Sequence, residues 1–161
     1  HLTYPPFAES SDPGVSASVS QEARGLAQQA DQALQQGRGS DALDLAERAV
    51  ALDDGSAGAW FQLGRARDAT GDLDGAVSAL EAAVARDLSR KRTQPAFATV
   101  ARAVCADLGC EAASPHDALT ARARADGIAV YDDILGDHEH LNPAGNAWIA
   151  AMFADLLADD P

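Results

Sequence analysis

The sequence predicts a mostly α-helical protein, on three observations. Alanine is abundant while aromatics make up only 5% of the 161 residues, and alanine with Leu, Glu, Gln and Arg is the composition of packed helices rather than of sheets. A shift of 34 residues lays one part of the chain onto another, the mark of an internal repeat. Beyond residue 20, apolar residues recur at helical spacing. With 47% apolar residues the chain can fill the core of one ordinary domain or two small ones.

Taken in order, Leu2-Thr3-Tyr4 is a short β-prone run that ends where Pro5-Pro6 can no longer donate to a ladder, so residues 1–7 are expected to be a strand end. Residues 8–20 are rich in small polar residues and contain Pro13-Gly14, which predicts a linker loop. Residues 21–90 hold the repeat. Its two copies align Leu26 with Trp60, Gly37 with Gly71, Ala42 with Ala76, Ala49 with Ala83, Val50 with Val84 and Asp53 with Asp87. After Ser89-Arg90-Lys91-Arg92, Phe97, Val100, Ala101, Val104 and Leu108 fall on one face of a helix from about Gln94, which Gly109 stops. A short strand is expected at 110–113, a helix at 115–126 and an extended run at 128–131. Residues 137–141 should be a loop. Asn142 as N-cap and Pro143 at the first position then open a last helix, with Trp148 and Phe153 packing it onto a sheet.

The formal net charge of −13 would repel phosphate backbones and anionic headgroups, so no nucleic-acid partner is expected. No apolar run approaches the roughly 18 residues of a membrane span, and the first residues lack a positively charged leader, so no membrane insertion is expected. The two cysteines, Cys105 and Cys110, are too few for a structural zinc site. They are either two buried thiols or a disulfide formed when Gly109 folds Cys110 back over the helix end; the bridge would place the chain in an extracytoplasmic, oxidising compartment.

A 34-residue period with glycine between two helices and alanines where they approach resembles the tetratricopeptide repeat. The second copy carries Trp60, Leu63 and Gly64 in its first helix and Ala76, Leu80 and Ala83 in its second, with Arg67 in place of the family's aromatic and Leu88 in place of its proline. The first copy is degenerate, with Gln29 and Ala30 where Leu and Gly belong. The resemblance implies antiparallel helix pairs and a groove that binds a peptide or partner protein. Trp60 is read as repeat core.

The block Gly136-Asp137-His138-Glu139-His140-Leu141-Asn142-Pro143-Ala144-Gly145 resembles the last conserved block of SGNH/GDSL hydrolases. That resemblance covers about Thr93 to Leu157, and more loosely Leu2 to Pro6. It implies a C-terminal segment, residues 91–161, of an SGNH-type α/β (flavodoxin-like) fold into which the repeats are inserted. By the same resemblance His140 would be the general base of a serine ester hydrolase or acyl transferase and Asp137 its orienting carboxylate. No cofactor and no metal are implied. The family's Gly-Asp-Ser block is missing; Gly39-Ser40-Asp41 has another order, and Ser40 reads as an N-cap. The only asparagines, Asn142 and Asn146, follow the histidine, so oxyanion donors are missing too. This chain alone is therefore expected to be inactive. Its start without Met is taken to mark a fragment, whose partner would be its missing N-terminal half or a second copy. Other readings stand beside this one. Asp137, His138, Glu139 and His140, with His116, could form a metal cluster; the Asp–His pair could simply cap the final helix; Asp132 and Asp133 could be solvated charges; and the whole chain could be a non-catalytic repeat adaptor.

Overall fold

The computed structural model describes residues 5–89, 95–126 and 140–158. Seven helices occur among them: α1 (Ala17–Gln35), α2 (Gly39–Leu52), α3 (Ala57–Ala69), α4 (Leu73–Arg86), α5 (Pro95–Leu108), α6 (Pro115–Asp126) and α7 (Pro143–Ala158). The first four form two antiparallel hairpins, α1–α2 and α3–α4, stacked with α3 against both α1 and α2.

The 34-residue repeat is reproduced atom for atom at the turns. Gly37 and Gly71 adopt φ of 72° and 85°, a region open to glycine without a Cβ penalty. In each turn the next amide reaches back to close the helix: Arg38 N–H to the Ala33 carbonyl and Asp72 N–H to the Arg67 carbonyl, both at 2.9 Å. Helix starts are fastened by side chains. Ser16 accepts from Val19 N–H, Ser56 from Ala59 N–H and Asp72 from Gly75 N–H. Ser40 is not among these caps: α2 begins at Gly39, its cap position is Arg38 with no side-chain bond, and Ser40 lies exposed in the first turn. The position equivalent to the Asp72 cap is Arg38, whose guanidinium turns to Gln36 and Asp41, and Ser40 lies two residues too late to cap.

Alanine dominates the contacts between helices. Ala30, Ala33, Ala42, Ala46, Ala66 and Ala79 surround Leu63, while Phe61, Val77, Leu80 and Val84 fill the space between α3 and α4. Trp60 is half-buried: it packs on the edge of both clusters, its Nε1 donates to the Asp54 carbonyl at 2.8 Å, and the Arg86 guanidinium lies 4.7 Å over its ring. Arg67, at the usual aromatic position, points instead to the α3–α4 turn, where it donates to the Gly75 carbonyl and lies 3.8 Å from Asp72.

The C-terminal half departs from the α/β expectation. Among the described residues there is no strand, and nothing supports an SGNH-type sheet. Residues 110–113 are irregular because Cys110 N–H is taken by the Cys105 carbonyl at 2.9 Å, which turns the chain back instead of extending it. Gly109, with φ of 68°, makes that reversal, and Cys105 and Cys110 are joined in a disulfide at the surface rather than being buried thiols. Arg102 pairs with Asp117 to tie α5 to α6. Phe97, Val100, Val104 and Leu108 line one exposed side of α5, and Phe153 of α7 is 44% exposed, with no sheet among the described residues to receive it. The strand readings at residues 2–4 and 128–131 lie outside the described residues.

Close approach at Gly64 gives a direct test of the packing. A Cβ there would stand 2.6 Å from Leu80 Cγ and 3.1 Å from the Ala76 carbonyl, whereas one at Gly25 would meet nothing within 4 Å. Gly64→Ala is expected to destabilise the repeats by about 1–3 kcal/mol through overpacking, and Gly25→Ala to be neutral or to stabilise by up to ~1 kcal/mol. Urea denaturation midpoints of the two variants measure this; equal midpoints would contradict the α3–α4 packing.

Candidate functional site

Repeat geometry puts α1 and α3, the first helices of the two hairpins, side by side, and a groove of about 370 Å³ runs between them. It is lined by Ala27, Gln28, Asp31, Gln32 and Gln35 of α1 and Gln62 of α3. Residues 28, 31, 32 and 35 are spaced by three and four, so one helix face presents all of them together. The floor is a polar network. Asp31 and Arg65, 34 residues apart at equivalent positions of the two repeats, form an ion pair across the groove. Gln35 Nε2 donates to Asp31 at 2.7 Å, Arg65 donates to Gln62 Oε1 at 3.0 Å, and the Arg65 guanidinium lies 5.8 Å over the Phe61 ring. Asp31 thus has its charge matched, and what the groove offers a ligand is mainly carboxamide. An acidic groove facing basic ligands is not what the structure presents.

Sequence reading had not singled out Gln28, Gln32, Gln62 or the Asp31–Arg65 pair. The signal was present: equivalent positions on first helices lie side by side when the repeats stack, so opposite charges one period apart are placed to pair.

Opposite chemistry occurs at the junction between the repeats. Asp53 and Asp87, also one period apart, end α2 and α4 and are only 1% and 3% exposed. They hold the segment that precedes α1, which crosses the helix ends as an irregular strap, bent at Phe7 and Ala8. Burial alone would raise the Asp53 carboxyl, but hydrogen bonds from Asp12 N–H, the Ser11 and Ser20 hydroxyls and Gly55 N–H outweigh it and hold the group below its ordinary value.

Of the hydrolase-type residues, Asp137 lies outside the described residues, as do His138 and Glu139. His140 is described and is exposed, immediately before the final helix. That helix starts as read: Asn142 Oδ1 accepts from Gly145 N–H at 2.9 Å, and Pro143 is its first residue. Ser40, the nearest thing to a nucleophile in the sequence, belongs to α2 in the repeats. Among the described residues no group of three His, Cys, Asp or Glu side chains is placed to hold a metal ion, and no helix is long and apolar enough to cross a membrane.

Residues 33–96 match the family model for the tetratricopeptide repeat. The match takes in α2, α3 and α4 and leaves out nearly all of α1, the helix with Gln29 and Ala30, although α1 packs as the first member of its hairpin. Comparison with curated proteins and with solved structures yields no match.

The depressed Asp53 value fixes the sign of a pH effect. A carboxylate that titrates lower in the folded chain than its ordinary 3.8 contributes stability that is complete well above that value and is lost as pH falls through the folded value. Denaturation midpoints of the wild-type chain and Asp53→Asn should therefore differ at neutral pH and converge as pH falls below about 4. A difference that stays constant with pH would show that Asp53 does not act through its charge.

Proposed function

We propose that the repeats serve as a protein-interaction platform whose ligand is an extended, largely uncharged peptide segment lying in the groove between α1 and α3. The observation that carries this reading is the convergence of Gln28, Gln32, Gln35 and Gln62 on one open groove over a network already satisfied by Asp31 and Arg65. A carboxamide both donates and accepts, as a peptide group does, so Gln28 and Gln32 can pair with successive backbone N–H and C=O groups, while Gln35 and Gln62 offer what their bonds to Asp31 and Arg65 leave open. Because Asp31 is matched by Arg65, a strongly basic peptide would find little unpaired negative charge in the groove. The tetratricopeptide match and the helical hairpins support an interaction role in the same direction.

Panning the chain against a random linear peptide library tests the proposal. Selected peptides should lose roughly three- to tenfold in affinity for each of Gln28→Ala and Gln62→Ala, the worth of one neutral hydrogen bond, and should be unaffected by Glu47→Ala on the exposed face of α2. Binders indifferent to the groove variants, or an empty selection from a folded chain, would remove the groove as the binding surface.

A second reading keeps the C-terminal block as the Asp–His part of an SGNH-type ester hydrolase, with His140 as base and Asp137 orienting it. What favours it is the start of α7: the Asn142 cap and Pro143 follow an exposed His140 as that block requires. A serine would have to come from outside this chain, which by itself should not turn over ester. Hydrolysis of a short p-nitrophenyl ester by the full gene product should fall by about 10³-fold or more in His140→Ala if the histidine is the base. Equal rates in the two proteins would discard this reading.

A further inference from the structure

The strap over the repeat junction occupies a surface with its own chemistry. Phe7 N–H and Ala8 N–H donate to the two oxygens of Asp87, at 2.9 and 3.1 Å, and Asp12 N–H donates to Asp53 Oδ1 at 2.9 Å. The same kind of contact thus recurs at the same position of both repeats, a carboxylate taking backbone amides of a chain that bends at Phe7 and Ala8 and runs from the second repeat to the first. Between these anchors the side chains engage the start of α3. Ser10 Oγ donates to the Gly55 carbonyl at 2.7 Å and accepts Ala57 N–H at 3.0 Å, completing the helix terminus that Ser56 caps from within. Ser11 Oγ lies 2.6 Å from Ser20 Oγ on α1. The Glu9 carboxylate lies over Gly58 in the first turn of α3, where a Cβ would come within 3.0 Å of it and where the helix dipole favours a negative charge. Gly55 lets the strap approach: a Cβ there would stand 2.1 Å from Asp12 N.

We infer that this junction is a second peptide-binding surface, selective for a segment that bends onto Asp87 and carries an acidic residue before a serine, which residues 7–12 fill in cis and the same segment of a second copy of this chain can fill in its place. Affinity comes from backbone amides paired with charged acceptors, so proline is excluded at the positions of Phe7, Ala8 and Asp12. Selectivity comes from the hydroxyl at Ser10 and the carboxylate at Glu9, which the start of α3 reads. Phe7 is the one large apolar side chain of this stretch, and it stays 39% exposed. The hydrogen bonds of residues 7–12 all lie at the helix ends, outside the alanine-lined core, so the strap can leave without opening that core. The inference is independent of the glutamine groove, which lies on other residues.

A fluorescent peptide of residues 5–14, titrated into the full chain and followed by anisotropy, tests it. Phe7→Pro removes one strap hydrogen bond and Ser10→Ala two, and both leave the receiving residues intact, so each should bind the peptide at least about tenfold more tightly than the wild-type chain, whose own strap competes. Gly55→Ala blocks any occupant and should not bind, and the peptide bearing Asp12→Pro should fail on every chain. Gln62→Ala should leave the peptide affinity unchanged, which separates this surface from the groove. Circular dichroism checks that each variant is folded, and two strap variants are used so that the loss of one leaves the other. No saturable binding by a folded strap variant, or equal binding by Gly55→Ala, overturns the inference. In the wild-type chain, hydrogen exchange at Phe7, Ala8 and Asp12 as fast as in the free peptide would overturn it as well.

Discussion

Everything in the repeat half depends on how closely its helices approach one another. Gly64 sits against Leu80 with no room for a Cβ, and the surfaces around it are built from alanines that are wholly buried. Such packing holds backbones near each other but removes little apolar area per residue. Full burial of a Leu, Val or Phe side chain is worth about 1.5–3 kcal/mol, and only Leu26, Phe61, Leu63, Val77, Leu80 and Val84 of that size are buried here. Polar fasteners therefore carry an unusual share of the specificity. The glycine turns, the Ser16, Ser56 and Asp72 caps and the buried Asp53 and Asp87 fix where each helix starts and stops.

Stacking two copies of one hairpin places chemically equivalent residues at regular offsets, and the repeat uses that twice. On the α1–α3 side, Asp31 and Arg65 differ in charge and lock the groove floor. At the helix ends, Asp53 and Asp87 are identical and make a two-step row of acceptors for one segment. One face thus offers neutral carboxamides and the other charged acceptors, so the two surfaces suit different peptides although both derive from the same 34-residue period.

Much of the fold was legible. Gly37 and Gly71 were readable as turns because only a residue without Cβ takes that φ cheaply, and Ala42, Ala49, Ala76 and Ala83 because small residues at fixed spacing mark close helix contacts. The last helix was readable from Asn142 and Pro143, whose capping chemistry is local. Ser40 misled because a serine ahead of a helical run looks like a cap, whereas the preceding turn had already started α2. The strand expected at 110–113 failed because the Gly109 reversal and the disulfide consume the amide that a ladder would need. The SGNH-type α/β portion rested on likeness of a short block, and the described C-terminal residues are helical; Asp137 lies beyond them.

The sequence by itself determined the local and periodic features: helix content, the two hairpins, their turns, and the alanine faces that had to meet. These follow from propensity, φ preference and spacing, which act over a few residues or one repeat. Only the tertiary structure decided which polar residues would become surfaces. Gln28, Gln32 and Gln35 share one face of α1, and Gln62 joins them only because α1 and α3 lie side by side. Residues 7–12 read as a strand end and a linker, because nothing local in them announces that Asp53 and Asp87, 41 residues and more away, present buried carboxylates to their amides. Those contacts exist only once the helices have stacked and removed the competing water, so they belong to the assembled repeat and not to any segment of it.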